Sequence, residues 1–145
     1  MIIACKACGQ KNRVREEHLA LPARCGKCKT PLAPVAEPLD ADRELFDAVV
    51  QNARVPVLVD FWADWCGPCH LAAPEVKRLA AAMAGRAIVL KVDTERHPEI
   101  ASRYDVRGIP NFVVLRNGQV VLQQAGVVPH TEMKRWLEQA ERQVS

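Results

Sequence analysis

Three C-x-x-C pairs account for all six cysteines of this 145-residue chain: Cys5 with Cys8, Cys25 with Cys28, and Cys66 with Cys69. A deprotonated cysteine is both a nucleophile toward disulfides and a ligand for soft metal ions, so each pair could serve redox chemistry or metal binding. Six cysteines in 145 residues are too few for a disulfide-stapled scaffold. No signal peptide is visible, which predicts a cytoplasmic protein. In that reducing compartment, cysteines are more often metal ligands or catalysts than structural disulfides.

The first four cysteines have the spacing of a zinc site. Their pattern, C-x2-C-x16-C-x2-C, lies within the range found in four-cysteine zinc modules. Four thiolates would complete a tetrahedron around one Zn²⁺ and leave no open position for catalysis, so the ion would be structural. The predicted metal ligands are Cys5, Cys8, Cys25 and Cys28. Redox-labile pairs and inert thiols are the alternatives, and His18 could act as a substitute ligand.

Residues 1–33 form the predicted zinc-binding domain. The segment has no Phe, Tyr or Trp and few apolar side chains, so metal binding must supply much of its folding energy. Residues 1–34 hold seven basic and two acidic residues, a charge of +5, whereas the remainder holds 13 basic and 15 acidic residues, a charge of −2. The basic segment permits phosphate contacts, but it lacks the aromatic side chains on which bases stack. We therefore expect no nucleic-acid partner.

A proline-rich segment precedes a second, larger domain. Three prolines within eight residues disfavour a helix, and residues 34–39 are predicted to form a short linker. A strand within 35–39 is also possible, and Pro38 would confine it to a sheet edge. Residues 40–145 form the second predicted domain. No apolar run reaches the roughly 18 residues that a membrane span needs, so no membrane partner is expected.

The second domain alternates between helical and strand patterns. Apolar residues at helical spacing predict helices, and β-branched apolar runs predict strands. Predicted helices cover 43–52, 68–84, 98–104 and 131–143, and predicted strands cover 55–61, 87–92, 112–115 and 120–123. Asp40 or Asp42 can cap the helix over 43–52, and Asn117-Gly118, between the last two strands, is typical of a hairpin turn. Alternation followed by a hairpin predicts an α/β fold in which helices flank a mixed sheet.

The third cysteine pair lies where a buried strand passes into a helix. The motif there reads Trp65-Cys66-Gly67-Pro68-Cys69. At a helix N-terminus, free N–H groups and the helix dipole favour the thiolate, which is the nucleophile. Cys69 lies one turn further along, close enough to form a disulfide with Cys66 or to resolve a mixed disulfide. Pro68 presets the first helical turn, and Gly67 keeps the approach uncrowded.

From this motif outward, the sequence resembles the thioredoxin family. The matching positions are 59–69, 73–74, 91–93, 104–110, 117–118 and 126, within about residues 36–143. With its four-cysteine leader, the whole chain resembles the bacterial thioredoxin 2 type, which carries an N-terminal zinc-binding extension. The resemblance implies a thioredoxin fold preceded by a small zinc-ribbon-like domain. It also implies a protein-disulfide reductase that is recycled by an NADPH-dependent thioredoxin reductase.

The resemblance further implies roles for residues outside the cysteine pair. Asp60 would accept a proton from Cys69 through water, and Lys91 would tune the titration of Asp60. An aspartate in an apolar strand is costly to bury unless it functions, although a solvated Asp60 and an edge-facing Lys91 are the alternatives. The implied substrate groove comprises Trp65, Gly67, Pro68, Ile109, Pro110 and Gly126. Ile109-Pro110 would be a cis-proline bond, beside which substrate backbone could pair as an added strand.

Two residues depart from the family pattern. His70 stands where relatives commonly have Lys or Arg. It is either a plain exposed helix position or, when protonated, a source of pH dependence in disulfide exchange. Asn111 stands where Thr is frequent, and we assign it no effect.

The expected partners are protein disulfides and thioredoxin reductase, and a monomer is the simplest assembly. A second interpretation, from another functional class, is a zinc-dependent chaperone or adaptor. In that case, oxidation of the four N-terminal cysteines would release zinc and change an exposed surface.

Overall fold

Both N-terminal cysteine pairs lie at the turns of short β-hairpins. The computed structural model describes residues 1–20 and 23–143. The first strands are β1 (Ile2–Ala4), β2 (Lys11–Arg13), β3 (Ala23–Arg24) and β4 (Pro31–Leu32). Strand β1 pairs antiparallel with β2, and β3 pairs antiparallel with β4. A short 3₁₀ helix, Glu16–His18, lies between the hairpins. This arrangement is consistent with the predicted zinc-ribbon-like module.

In the described part of the chain, five further strands form one mixed sheet in the order β5-β7-β6-β8-β9. They are β5 (Leu39–Asp40), β6 (Val57–Trp62), β7 (Ile88–Asp93), β8 (Asn111–Arg116) and β9 (Gln119–Ala125). Strands β5, β7 and β6 are parallel, whereas β8 is antiparallel to both β6 and β9. The helices on its faces are α1 (Arg43–Asn52), α2 (Gly67–Ala82), α3 (Pro98–Arg103) and α4 (His130–Glu141). The predicted mixed sheet flanked by helices is confirmed. Within residues 1–20 and 23–143, no helix has the length and apolar character needed to cross a bilayer.

Strand β6 is buried on both faces because it pairs on both edges and helices cover both sides. Val59 and Phe61 belong to the same apolar core as Phe46 of α1. Leu58 points the other way, into a second core with residues of α2 and α4. Successive side chains of a strand alternate between faces, so Asp60 lies on the Leu58 side, under α2. The apolar pattern of this segment therefore predicted its burial on both faces correctly.

Local turn and cap signals also hold. Asn117 and Gly118 have φ angles of 51° and 77°, the left-handed conformation that a tight hairpin turn requires, and they join β8 to β9. Asp42 caps α1, since its Oδ1 accepts a hydrogen bond of 2.8 Å from the amide of Leu45. Both features were predicted from the sequence and are confirmed.

The segment 34–39 runs along the core and ends in the sheet. Val35 and Leu39 are partly buried against the α1 side of the core, and the amide of Val35 donates to the carbonyl of Leu19 at 3.0 Å. Leu39 already belongs to β5, which lies at the sheet edge directly after Pro38. The domain boundaries at residues 33 and 39 stay predictions.

The N-terminal module packs against the larger domain at a distance from the third cysteine pair. Leu19 is 1% exposed and shares one apolar core with Phe46 of α1. The carbonyl oxygen of Ala20 lies 3.7 Å from the position that a Cβ on Gly85 would occupy. Gly85 follows the C-terminal end of α2, whereas Cys66 lies at its N-terminal end. The helix has 16 residues and is therefore about 24 Å long, so this contact is far from Cys66.

Substituting Leu19→Ala should lower the free energy of unfolding by about 2–4 kcal/mol, because it leaves a cavity in a shared core. Leu71→Ala is the matched control: Leu71 is 71% exposed, and its loss should change stability by no more than about 0.5 kcal/mol. Urea unfolding followed by tryptophan fluorescence measures both, since all three tryptophans lie beyond residue 60. If Leu19→Ala unfolds at the wild-type urea concentration, the module does not stabilise the larger domain.

Candidate redox site and candidate metal centre

Cys66 occupies the N-cap position of α2. Its Sγ accepts a hydrogen bond of 3.2 Å from the amide of Cys69, one of the N–H groups that a helix start leaves without a partner. Pro68 lies in the first turn, where its missing N–H costs nothing. Cys66 and Cys69 are joined as a disulfide with a Cα–Cα distance of 5.3 Å. Both residues are buried, with 3% of their surface exposed, so a substrate can reach the sulfur atoms only where the surrounding surface leaves a gap.

The sheet register brings two further segments to this disulfide. Phe61 of β6 pairs with Asn111 of β8, and Asn111 pairs with Ala125 of β9. The residues just before β8 and just after β9 therefore lie at the same sheet end as the β6–α2 connection. That end is where the predicted groove residues Ile109, Pro110 and Gly126 are found.

These segments contact the cysteine pair and one another. The Ile109–Pro110 peptide bond is cis, as predicted, and the Ile109 carbonyl oxygen lies 3.6 Å from Cys66 Sγ. The amide of Gly126 donates to the Pro110 carbonyl at 2.9 Å. Gly126 has φ +101°, a conformation that other residues rarely adopt, and the space around its missing Cβ is open. Backbone conformation therefore calls for glycine here.

Trp65, directly before Cys66 in the chain, has a largely exposed side chain. It is 70% exposed, and its Nε1 donates to Glu95 Oε1 at 2.8 Å. Leu71 and Val127 are also exposed, at 71% and 44%, and sequence reasoning did not identify them or Glu95. Helical spacing could have found Leu71, since it lies off the apolar face of α2. The partner of Trp65 and the exposure of Val127 depend on long-range packing and left no local signal.

Asp60 is 1% exposed, and among the described residues its Oδ1 has no hydrogen-bond partner. Burial raises the pKa of Asp60 to about 7, and the positive charge of Lys91 opposes the rise. The two residues are direct neighbours across β6 and β7. The Lys91 ammonium lies 4.5 Å from the centroid of the Trp62 ring, a cation–π contact. A solvated Asp60 is therefore ruled out, and its carboxyl group can change protonation near neutral pH.

His70 and Asn111 have clear contacts. His70 is exposed on α2, and its Nε2 donates to the Asp64 carbonyl at 2.7 Å. Asn111 is 6% exposed, and its Oδ1 accepts from Gln123 Nε2 at 3.1 Å. Gln123 also donates to the Tyr104 carbonyl at 2.9 Å. Asn111 thus fixes the start of β8 to β9, a structural role that the sequence did not indicate.

The first two cysteine pairs meet in one cluster. The Sγ atoms of Cys5, Cys8, Cys25 and Cys28 all lie within 4.8 Å of one another. Cys5 and Cys28 Sγ are 3.7 Å apart, and Cys8 and Cys25 Sγ are 3.6 Å apart. A tetrahedron with Zn–S bonds of about 2.3 Å has edges of about 3.8 Å, so this donor set fits Zn²⁺. His18 is exposed and lies outside the cluster.

The two turns of this cluster repeat the same backbone geometry. The Cys5 amide donates to the Gln10 carbonyl, and the Cys25 amide donates to the Thr30 carbonyl. The amides of Gly9 and Lys29 donate to the carbonyls of the respective first cysteines, and both residues have positive φ, at 78° and 65°. A further bond of 2.9 Å joins the second turn to strand β2 of the first hairpin, from the Gly26 amide to Asn12 Oδ1. Repeated local geometry plus one cross-link thus holds the four sulfurs together.

A helix-flanked mixed sheet with a C-x-x-C disulfide at a helix start and a cis-proline opposite defines a thiol–disulfide oxidoreductase. The family model described as Thioredoxin matches residues 37–139. The chain belongs to the thioredoxin family.

Relatives and solved structures agree with this assignment. The chain is 38% identical to Thioredoxin C-3 of Corynebacterium nephridii, over 96% of this chain and 94% of the relative. It is 39% identical to the thioredoxin of Haemophilus influenzae, over 69% of this chain and 91% of the relative. A mutant thioredoxin from Halobacterium salinarum superposes with a TM-score of 0.70 and 34% identity, covering 79% of this chain and 99% of that structure. Chloroplastic thioredoxin z superposes with a TM-score of 0.68 and 27% identity, covering 75% of this chain and 98% of that structure.

These findings confirm the thioredoxin fold and the predicted activity. The chain is a thiol–disulfide oxidoreductase of the protein-disulfide reductase kind, and Cys66 and Cys69 occupy its redox-active position. Family membership implies protein disulfides as substrates and a thioredoxin reductase as the general kind of partner.

Asp60→Asn should stabilise the protein at alkaline pH. The folded-state pKa of Asp60, about 7, lies above its unfolded value, so the stability that this proton contributes is present below about pH 4 and lost as pH rises through about 7. The gain in free energy of unfolding of Asp60→Asn over wild type should therefore be larger at pH 8 than at pH 4, by on the order of 4 kcal/mol.

Urea unfolding of the oxidised protein between pH 4 and pH 9 tests this expectation. Asp64→Asn is the matched control, because Asp64 is exposed and its replacement should leave the pH profile of stability unchanged. If wild type and Asp60→Asn gave parallel profiles, the buried carboxyl group would not titrate in this range.

Proposed function

We propose that Cys66 is the attacking nucleophile and Cys69 the resolving thiol in the reduction of protein disulfides. The observation that carries the proposal is the position of Cys66 Sγ, at the start of α2 and 3.6 Å from the Ile109 carbonyl. The Cys66 thiolate attacks one substrate sulfur, forms a mixed disulfide and releases the other sulfur as a thiolate. The Cys69 thiolate then attacks Cys66 and releases the second substrate thiolate. Two electrons pass to the substrate, and the protein is left with the Cys66–Cys69 disulfide.

Asp60 acts as the proton acceptor for Cys69 in this proposal. A carboxyl group whose pKa is about 7 is partly ionised at neutral pH, so its carboxylate form can accept the proton of a thiol and release it later. Its place on the α2 side of β6 supports this role. Lys91 limits the rise of the Asp60 pKa through its positive charge and so keeps the carboxyl group partly ionised.

Substrate binding uses the groove around the cysteine pair. Ile109 offers backbone groups to an extended substrate segment, which would add as a strand beside the cis-proline. Trp65 and Gly126 border the approach, one as an exposed apolar surface and the other as open space. Gly67 and Pro68 are exposed beside Cys66 and complete the contact surface.

Residues 1–33 form a zinc-binding domain of the thioredoxin 2 type, 34–39 a linker and 40–145 the thioredoxin domain. Cys5, Cys8, Cys25 and Cys28 hold one structural Zn²⁺, because four thiolates leave no coordination position for chemistry. The contacts of Leu19 and Ala20 with the larger domain support a docked arrangement in which the dithiol end of α2 is free for substrate.

The remaining features follow from this activity. The dithiol must be re-reduced, and an NADPH-dependent thioredoxin reductase is the electron donor we propose. Cysteines that serve as metal ligands suit a reducing compartment, so we place the protein in the cytoplasm. We propose a monomer with no nucleic-acid or membrane partner. No particular observation favours the chaperone or adaptor interpretation.

Cys66→Ser should abolish insulin reduction in the presence of NADPH and a thioredoxin reductase, because serine is not a nucleophile toward disulfides. Cys69→Ser should also stop turnover, but it should accumulate a mixed disulfide between Cys66 and the substrate, detectable by mass spectrometry. Wild-type rates in Cys66→Ser would contradict the assignment. A mixed disulfide trapped in Cys66→Ser, through Cys69, would reverse the two roles.

The purified chain should contain one zinc ion, measured by elemental mass spectrometry after anaerobic preparation. Cys8→Ser should lose it, because three thiolates cannot close the tetrahedron, and its melting temperature should fall. Cys69→Ser is the matched substitution in the other cysteine set and should keep the metal. Equal zinc content in both variants would refute the four-cysteine site.

A further inference from the structure

Helix α4 begins without a capping side chain of its own. Its N-cap residue is Pro129, which makes no side-chain hydrogen bond, and the first turn of any helix has N–H groups to satisfy. The cap comes instead from α2. Glu75 Oε1 accepts a hydrogen bond of 3.1 Å from the His130 amide and also lies 3.1 Å from His130 Nδ1. The Glu75 side chain thus caps the N-terminus of a helix that begins more than 50 residues later in the chain.

The Glu75 carboxylate is held firmly as an anion. The His130 amide and ring, together with the guanidinium of Arg78 bound to Oε2, lower the pKa of Glu75 to about 2. The stability from this ionised state is present above the unfolded pKa near 4.3 and is lost only as pH falls toward 2. A negative charge at a helix N-terminus is also favourable because of the helix dipole. The cap is therefore intact at any pH at which a disulfide reductase is assayed.

This cap joins the helix of the dithiol to one side of the predicted substrate groove. Helix α2 begins at Gly67, directly after Cys66, and α4 follows the segment 126–129. The other end of that segment is fixed by the Gly126 amide, which donates to the Pro110 carbonyl at 2.9 Å. Only residues 127–129 therefore lie between an attachment to the cis-proline loop, at Gly126, and an attachment to α2, at His130. A segment of that length, fixed at both ends, has little freedom to shift.

One side chain of this segment is exposed and the next is partly buried. Val127 is 44% exposed, whereas Val128 packs against the core between α2 and α4. Without the Glu75 cap, the end of the segment at His130 would keep only the packing of Val128 and of the helix. The position of Gly126 and Val127 relative to Cys66 would then be less well defined.

We propose that Glu75 is a positioning residue for protein substrates: by capping α4 it fixes segment 126–129 against the dithiol helix and so sets the shape of the substrate groove. The proposal rests on the groove described under the proposed function. It concerns binding of a polypeptide and not the exchange chemistry. A small disulfide that reaches Cys66 without filling the groove should therefore be reduced independently of Glu75.

Steady-state kinetics with two disulfides test this role. Glu75→Ala should raise KM for insulin about fivefold, as for one lost hydrogen bond, and leave kcat within about twofold. Its rate with 5,5′-dithiobis(2-nitrobenzoic acid), a small aromatic disulfide, should match wild type. Glu75→Gln should restore KM for insulin, because its amide oxygen can still accept the His130 amide. Arg78→Ala is the matched control, since it removes the ion pair of Oε2 and keeps the cap.

Amide hydrogen exchange adds a readout of the segment itself. The amides of Gly126 and His130 should exchange faster in Glu75→Ala than in Glu75→Gln or wild type. An unchanged KM for insulin in Glu75→Ala would overturn the proposal, as would an equal loss of rate on both disulfides, which would indicate a general loss of structure. A wild-type protein inactive on both disulfides would instead contradict the proposed function.

Discussion

The passage from β6 into α2 determines the geometry of the redox site. Strand β6 ends at Trp62 and α2 begins at Gly67, so only a short connection carries the chain from the sheet into the helix. Because β6 is fixed on both edges by β7 and β8, this connection has little freedom, and it holds the Cys66 sulfur at the helix start beside the Cys69 amide. The groove segments then need only reach that fixed point. The antiparallel register of β8 and β9 brings the cis-proline loop and Gly126 to that point.

The same strand also carries the main energetic conflict of the domain. Apolar residues before and after Asp60 hold β6 in the core, and their burial removes the carboxyl group from bulk solvent and, among described residues, leaves its Oδ1 without a partner. Such a group opposes folding whenever it is charged. The positive charge of Lys91 reduces this cost only in part, since burial remains the larger effect on the pKa of Asp60. The charged carboxyl group therefore makes the domain less stable at neutral pH than this core would otherwise be. The same group can gain and lose a proton in the pH range in which thiols exchange with disulfides.

Sequence reasoning succeeded where the signal was local. The apolar run of β6, the Asp42 cap, the Asn117-Gly118 turn and the cysteine spacings each depend on residues within a few positions of one another, and each is found as predicted. Contacts between distant segments left no such signal. Leu19 joining the α1 core, Gln123 holding Asn111, and Glu75 capping α4 arise only once the sheet is assembled. In each case the residue type alone is common and unremarkable, and its meaning comes from a partner far along the chain.

One spacing gives two different arrangements of sulfur atoms in this chain because the backbone around it differs. In the N-terminal module, each C-x-x-C pair lies in a hairpin turn whose repeated hydrogen bonds direct both sulfurs to a shared centre, and two such turns meet. Four thiolates held in this way form a donor set that fits one metal ion. Cys66 and Cys69 span the start of a helix instead. There the Cys66 sulfur accepts a hydrogen bond from the Cys69 amide, and Cys69 itself lies one turn further into the helix. A pair in that position can alternate between dithiol and disulfide without moving its backbone far. The context of each motif, a turn or a helix start, therefore decides which cysteines gather into a four-sulfur cluster and which form the redox-active disulfide.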